Sequence, residues 1–178
     1  IDDRVPHPSL GSGYPRCSSM LFELSKMDLN ISLYPLQFPE EQWDDVYNTL
    51  PNTIEVILES GRDGLQSFLA ERKNFYQFAV VSRVHNMEFF NHCLSLEPDL
   101  LGDAKIIYDA EAVSAPREIL RKEFLGETMS SEDQAELIDK ELQQSKLAEK
   151  IVAVSNNEAE IFKRHGYSEP VVLGHTIA

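Results

Sequence analysis

The sequence predicts a doubly wound α/β domain, with a mostly parallel sheet covered by helices on both faces. Short apolar or β-branched runs alternate with stretches of helical periodicity along all 178 residues. Two of those runs, Phe78-Ala79-Val80-Val81-Ser82 and Ile106-Ile107-Tyr108, are apolar without a break, as expected of strands buried on both faces. Helices supply the crossovers that parallel neighbours need, and the length suffices for a single domain, residues 1–178, with a proper core.

In chain order, Ile1-Asp2-Asp3 reads as the tail of a strand, and Pro6 and Pro8 then force an extended path. Gly11-Ser12-Gly13 forms a turn, and Pro15 suits the first turn of a helix running to about Lys26, with Met20, Leu21 and Leu24 at helical spacing. A strand, a glycine-bearing loop and a helix N-terminus together can receive an anion, although Gly-Ser-Gly after a strand also serves as an ordinary βα turn. Leu29 to Pro35 reads as a strand, a short helix starts near Pro39, and Thr53 to Leu58 is a strand. Leu65 to Lys73 is helical, with Leu65, Phe68 and Leu69 on one face. The strand at Phe78–Ser82 leads to a helix at Met87–Leu96, and the strand at Lys105–Asp109 follows. Helices at Ala115–Phe124 and Glu132–Ala148 come next, the second capped by Ser131. Ile151–Ser155 is a strand, Asn157–His165 a helix stopped by Gly166, and Val171–Leu173 the last strand.

A net charge of −14 repels phosphate backbones and anionic bilayers, so nucleic acid is not an expected partner, though a small concave site can still be locally basic. The two cysteines, Cys17 and Cys93, lack metal-ligand spacing and suit reduced thiols in a cytoplasmic protein. No apolar run has the length of a bilayer span. The stub at Ile1 and the strand near Val171 read as cut edges of a longer polypeptide.

In such a sheet, ligands bind outside the carboxyl ends of the strands. That rule selects Gly11 to Gly13, Ser82-Arg83-Val84-His85-Asn86, Asp109-Ala110-Glu111, and Ser155 to Glu158. Each has a structural reading as well. Arg83 and His85 can form a surface loop, Asp109 and Glu111 an acidic pair at a helix N-terminus, and Ser155–Glu158 spells a capping box. His7, between prolines, and His92 read as structural. No P-loop, nucleophile elbow or zinc-site spacing is present.

Four segments together resemble a known family. They are DDRVPHPSLGSGYPR (2–16), VSRVHNM (81–87), IIYDAEAVSAPRE (106–118), and VAVSNNEAEIF (152–162) followed by VVLGH (171–175). In this order they resemble the N-terminal half of GT-B glycosyltransferases of the retaining family-4 type. The resemblance implies a Rossmann-like domain that receives the acceptor, while a C-terminal domain beyond residue 178 binds most of a nucleotide-sugar donor. It implies sugar transfer to a carbohydrate or glycoconjugate acceptor, with no cofactor beyond the donor and no activity in this piece alone. Gly11, Ser12 and Gly13 would approach the donor diphosphate, with Arg16 in the helix behind to assist, and Arg83, His85 and Asn86 would shape the acceptor pocket. Where many relatives carry a histidine beside the transferred sugar, this chain has Glu111, with Asp109 as its neighbour. A carboxylate there would accept a sugar hydroxyl or stabilise oxocarbenium charge. Two other classes stay open: a free-standing nucleotide- or anion-binding module, and an interaction domain working through its acidic helices.

Overall fold

The computed structural model describes residues 1–11, 13–167 and 170–175. Helices and strands alternate: α1 Tyr14–Leu24, β1 Ile31–Leu33, α2 Trp43–Thr49, β2 Ile54–Val56, α3 Gly61–Glu71, β3 Phe78–Ser82 and α4 Val84–Leu96. Then come β4 Lys105–Asp109, α5 Ala115–Phe124, α6 Ser131–Leu142, β5 Lys150–Ala153, α7 Asn156–Arg164 and β6 Val171–Val172, with 3₁₀ turns at Pro8–Leu10 and Gln143–Leu147. Every strand pairing is parallel.

The strands form two sheets instead of the expected one, β1-β2 and β3-β4-β5-β6. The N-terminal strand is reduced to a single bridge between Asp2 and Pro35. Its backbone still joins the two sheets. Asp2 N–H donates to the Tyr34 carbonyl (3.2 Å), Leu36 N–H to the Asp2 carbonyl (2.8 Å) and Ser82 N–H to the Ile1 carbonyl (2.9 Å). The ladder stops because the Asp3 carbonyl turns to the N–H groups of Gln37 and Phe38, and Pro6 and Pro35 have no N–H to offer. Across the molecule the order is therefore β2, β1, the N-terminal stub, β3, β4, β5, β6. The chain leaves the stub toward β1 on one side and returns beside it as β3 on the other. That reversal is the place where doubly wound sheets open a crevice at their carboxyl ends.

Successive strand residues point to opposite faces. Leu33 accordingly joins a core with Val5, Cys17, Leu21, Val46 and Ile54, from α1, α2 and β2 among others. Its neighbour Tyr34 joins a second core with Leu65, Met87, Phe90, Tyr108 and Phe162, from α3, α4, β4 and α7. Apolar packing thus covers both faces at β1. Burial in β3 and β4 is less even than those runs imply: Phe78 is 57 % exposed whereas Val81 is fully buried. The buried end of both strands is the carboxyl end, where Ser82 and Asp109 lie.

Helix boundaries differ from the pattern where side chains intervene. Ser145, wholly buried, donates its hydroxyl to the Leu142 carbonyl (2.6 Å), and the expected long helix to Ala148 gives way there to a 3₁₀ turn. The cap of α6 is Ser130, not Ser131. Its Oγ accepts from Asp133 N–H (3.1 Å), and Asp133 accepts from Ser130 N–H (3.3 Å). Ser130→Ala is therefore expected to cost about 0.5–2 kcal/mol by denaturant unfolding, with Ser131→Ala close to neutral. The reverse order would move the cap back to Ser131.

Candidate functional site

Asp3 leaves the stub on the crevice side, and Arg83 caps α4 directly after β3. Arg83 has φ of 75°, a left-handed conformation that costs a branched or long side chain free energy, and its N–H is held by the Asp109 carbonyl (2.9 Å). Its guanidinium meets Asp2 Oδ1 (2.9 Å), Asp3 Oδ2 (3.2 Å) and Glu111 Oε2 (2.7 Å), and lies 4.6 Å from the centroid of the Tyr14 ring. Glu111 is also left-handed, with φ of 56°. Two strained residues thus face each other across one ion pair.

The carboxylate of Glu111 also rests against Gly13, the N-cap of α1, and fills the place a Cβ would occupy there. Glycine is required at 13 by this close approach. Gly11, with φ of 68°, has open space around it instead. Ser12 lies outside the described residues.

Asp3 is the hub on the other side. Its Oδ1 accepts from His85 Nε2 (2.6 Å) and from Asn86 Nδ2 (2.9 Å). Asn86 is wholly buried, bonds the Ser82 carbonyl (3.0 Å), and accepts from Gln37 Nε2 (2.8 Å), so it orients Asp3 rather than reaching solvent. Below this layer Arg16 grips Asp109 with two parallel bonds of 2.8 Å. Arg16 Nε donates to the Leu173 carbonyl (2.9 Å), and Ser82 Oγ to Asp109 Oδ2 (3.3 Å). Only 2 % of the Arg16 and 1 % of the Asp109 side chain is exposed. Arg16 and Asp109 therefore support the rim from beneath.

The electrostatics divide the carboxylates. Burial works against the charge on Asp3, but hydrogen bonds from His85 and Asn86 and the nearby Arg83 outweigh it and hold Asp3 below the ordinary range. Burial pushes Glu111 up; Arg83 and Arg16 oppose this, and the charges of Asp2 and Asp109 reinforce it. Four carboxylates (Asp2, Asp3, Asp109, Glu111) face two guanidiniums (Arg16, Arg83). The crevice is not a basic pocket. It is rich in hydrogen-bond acceptors, which suits a ligand that brings hydroxyl donors.

Sequence reasoning selected Gly13, Arg83, His85, Asn86 and Glu111, and the fold brings all five together, with Arg16 and Asp109 underneath. Asp2, Asp3 and Tyr14 were missed. Two consecutive aspartates at the carboxyl end of the first strand were the available signal. The Ser155–Glu158 box is only half formed: Ser155 Oγ caps Glu158 N–H (3.2 Å), while Glu158 Oε1 accepts from Val113 N–H (3.2 Å). His7 bridges Thr49 Oγ1 (2.6 Å) and Glu41 Oε2 (3.2 Å), pinning its loop to α2. Among the described residues, no group of histidine, cysteine or acidic side chains is placed to hold a metal ion.

Two predictions follow from this geometry. Gly13→Ala should destabilise by about 1–3 kcal/mol through overpacking, and the loss should shrink in Gly13→Ala/Glu111→Ala, where the obstructing carboxylate is gone. Additive losses would show that Gly13 and Glu111 do not touch. The second concerns pH. A carboxyl whose folded pKa is raised binds its proton more tightly when folded, so it opposes folding progressively as pH rises above the ordinary value of 4.5. Glu111→Gln should melt close to the unsubstituted protein at low pH and above it at pH near 7. A lower melting point at neutral pH would show that the Arg83 pair outweighs burial.

No helix among the described residues is long and apolar enough to cross a membrane. No family model, curated protein or solved structure matches this chain.

Proposed function

We propose that this chain is the acceptor-side, Rossmann-like domain of a GT-B glycosyltransferase, which moves a sugar from a nucleotide-sugar to a carbohydrate or glycoconjugate acceptor. The observation that carries this reading is the meeting of Gly13, Arg83 and Glu111, from three distant segments, at the reversal point of the sheet. Acceptor-rich carboxylates there suit sugar hydroxyls, and Glu111, unfavourably buried as an anion, gains from positive charge developing on the transferred sugar. Gly11, open to solvent beside α1, is where the donor diphosphate would approach. The remaining donor contacts belong to a second domain of a longer protein. Two buried free thiols suit a reducing, cytoplasmic setting.

The test is a transfer assay on the full-length protein with a panel of nucleotide-sugars, alongside calorimetry on the 178-residue chain. Transfer by the whole protein, with weak donor binding and no transfer by the piece, is expected. Micromolar donor binding by the piece alone would contradict the division of labour and favour a free-standing nucleotide-binding module.

A further inference from the structure

We propose that the aromatic pair Trp43–Tyr47 on α2 is a second sugar subsite, so that the acceptor is an uncharged glycan longer than a single sugar. The proposal rests on the sugar-transfer reading above and names its substrate class. Val46 and Leu50 supply the core contacts of α2 and are buried. Trp43 and Tyr47, four residues apart and so neighbours on the helix surface, stay 47 % and 63 % exposed. Their rings stack, with centroids 5.6 Å apart and planes at 28°. The pair is surplus to the packing of the helix, and each ring holds the other in place.

The pair also has a fixed position. α2 follows β1, so its first turn lies toward the carboxyl-end rim where the crevice opens. The segments around it are fastened to the crevice wall. Phe38 N–H donates to the Asp3 carbonyl (2.8 Å), and Gln37 Nε2 donates to Asn86 Oδ1 (2.8 Å). Glu41, just before the helix, accepts from Arg4 (2.7 Å) and lies 3.2 Å from His7 Nε2. Thr49, at the helix end, is 2.6 Å from His7 Nδ1. Crevice and aromatic pair therefore belong to one wall.

The chemistry selects the guest. A pyranose has a face of C–H groups whose hydrogens carry partial positive charge, which the negative face of an aromatic ring attracts. The hydroxyls around its edge pair with amides and carboxylates, and Gln42, Asp44 and Asn48 stand exposed beside the pair. Gln42 is the N-cap of α2 yet makes no side-chain cap bond, so its amide is not spent on the helix. An anionic acceptor fits badly. All three nitrogens of Arg83 are engaged by Asp2, Asp3 and Glu111, and all three of Arg16 by Asp109 and the Leu173 carbonyl. Arg4 is paired with Glu41 and lies over the Phe38 ring (5.3 Å). Glu40, Asp44 and Asp45 add exposed negative charge around α2. A cationic guest is held best by rings set around it as a cage, whereas Trp43 and Tyr47 stack on each other and offer a flat outer face.

The 178-residue chain holds a single tryptophan, so its emission reports on this face alone. It is titrated with neutral malto-, cello- and N-acetylchito-oligosaccharides, their monosaccharides, oligogalacturonates and an oligolysine. A saturable change with a neutral oligosaccharide, at lower concentration than with its monosaccharide or with oligogalacturonate, is expected. No change with any neutral oligosaccharide would overturn the subsite, and a change with oligolysine alone would assign the face to a basic peptide instead. Transfer by the full-length protein to the same acceptors is the second arm. KM should fall from monosaccharide to oligosaccharide, and Trp43→Ala should remove roughly 3- to 10-fold of that advantage. Trp43→Phe should keep most of it, which a general loss of folding would not. An advantage undiminished in Trp43→Ala would overturn the subsite and leave sugar transfer standing. An emission response without transfer from any donor would keep the glycan subsite and overturn the transfer reading.

Discussion

Arg16→Met is expected to remove about 3–5 kcal/mol of stability, the cost of leaving a buried charge without its partner. Both Asp109 oxygens are engaged by the Arg16 guanidinium at 2.8 Å, and neither side chain has meaningful access to water. Without Arg16, Asp109 keeps only the Ser82 hydroxyl as a side-chain donor and faces the like charge of Glu111. The bond from Arg16 Nε to the Leu173 carbonyl is lost as well, freeing the segment after β6. Removing both partners avoids the orphaned charge, so Arg16→Met/Asp109→Leu should recover much of the loss. Denaturant unfolding of the two single variants and the double variant measures this directly. A single-variant loss below about 1 kcal/mol would place the pair in the class of solvent-screened surface bridges.

That pair also shows what the sequence made legible. Asp109 ends a strand and Arg16 begins a helix 93 residues away; the rule that ligands gather at strand carboxyl ends marked Asp109, and the family resemblance marked Arg16. The rule does not distinguish a residue at the rim from one beneath it. Depth depends on packing between α1, β4 and the segment after β6, which no local pattern encodes. The same limit hid Asp3. As the last residue of a stub it resembled strand, yet Gln37 and Phe38 draw its carbonyl out of the ladder and leave its side chain as the hub for Arg83, His85 and Asn86. The split of the sheet has the same origin, since prolines at 6 and 35 shorten the stub to a bridge. Strand identity was easier to read. Apolar runs within 78–82 and at 106–108 fall in β3 and β4 as expected.

The second large effect concerns Glu111. Its carboxylate is held against Gly13 and Arg83 in a left-handed backbone, with burial and two neighbouring acids opposing its charge. Unfavourable placement of an anion in the free protein becomes useful when positive charge develops beside it, because the interaction strengthens only as the transition state forms. Glu111→Gln keeps the shape and removes that charge. Losing one such contact typically costs about 10²- to 10³-fold in rate, and the loss should fall on kcat more than on KM. Stability should not fall with it, since glutamine carries no burial penalty for charge. The most direct test is therefore to measure turnover and melting temperature of Glu111→Gln side by side in the full-length protein at neutral pH. A large drop in kcat with an equal or higher melting temperature is the predicted result. Unchanged turnover with a lowered melting temperature would make Glu111 a structural partner of Arg83 and remove the crevice from the chemistry.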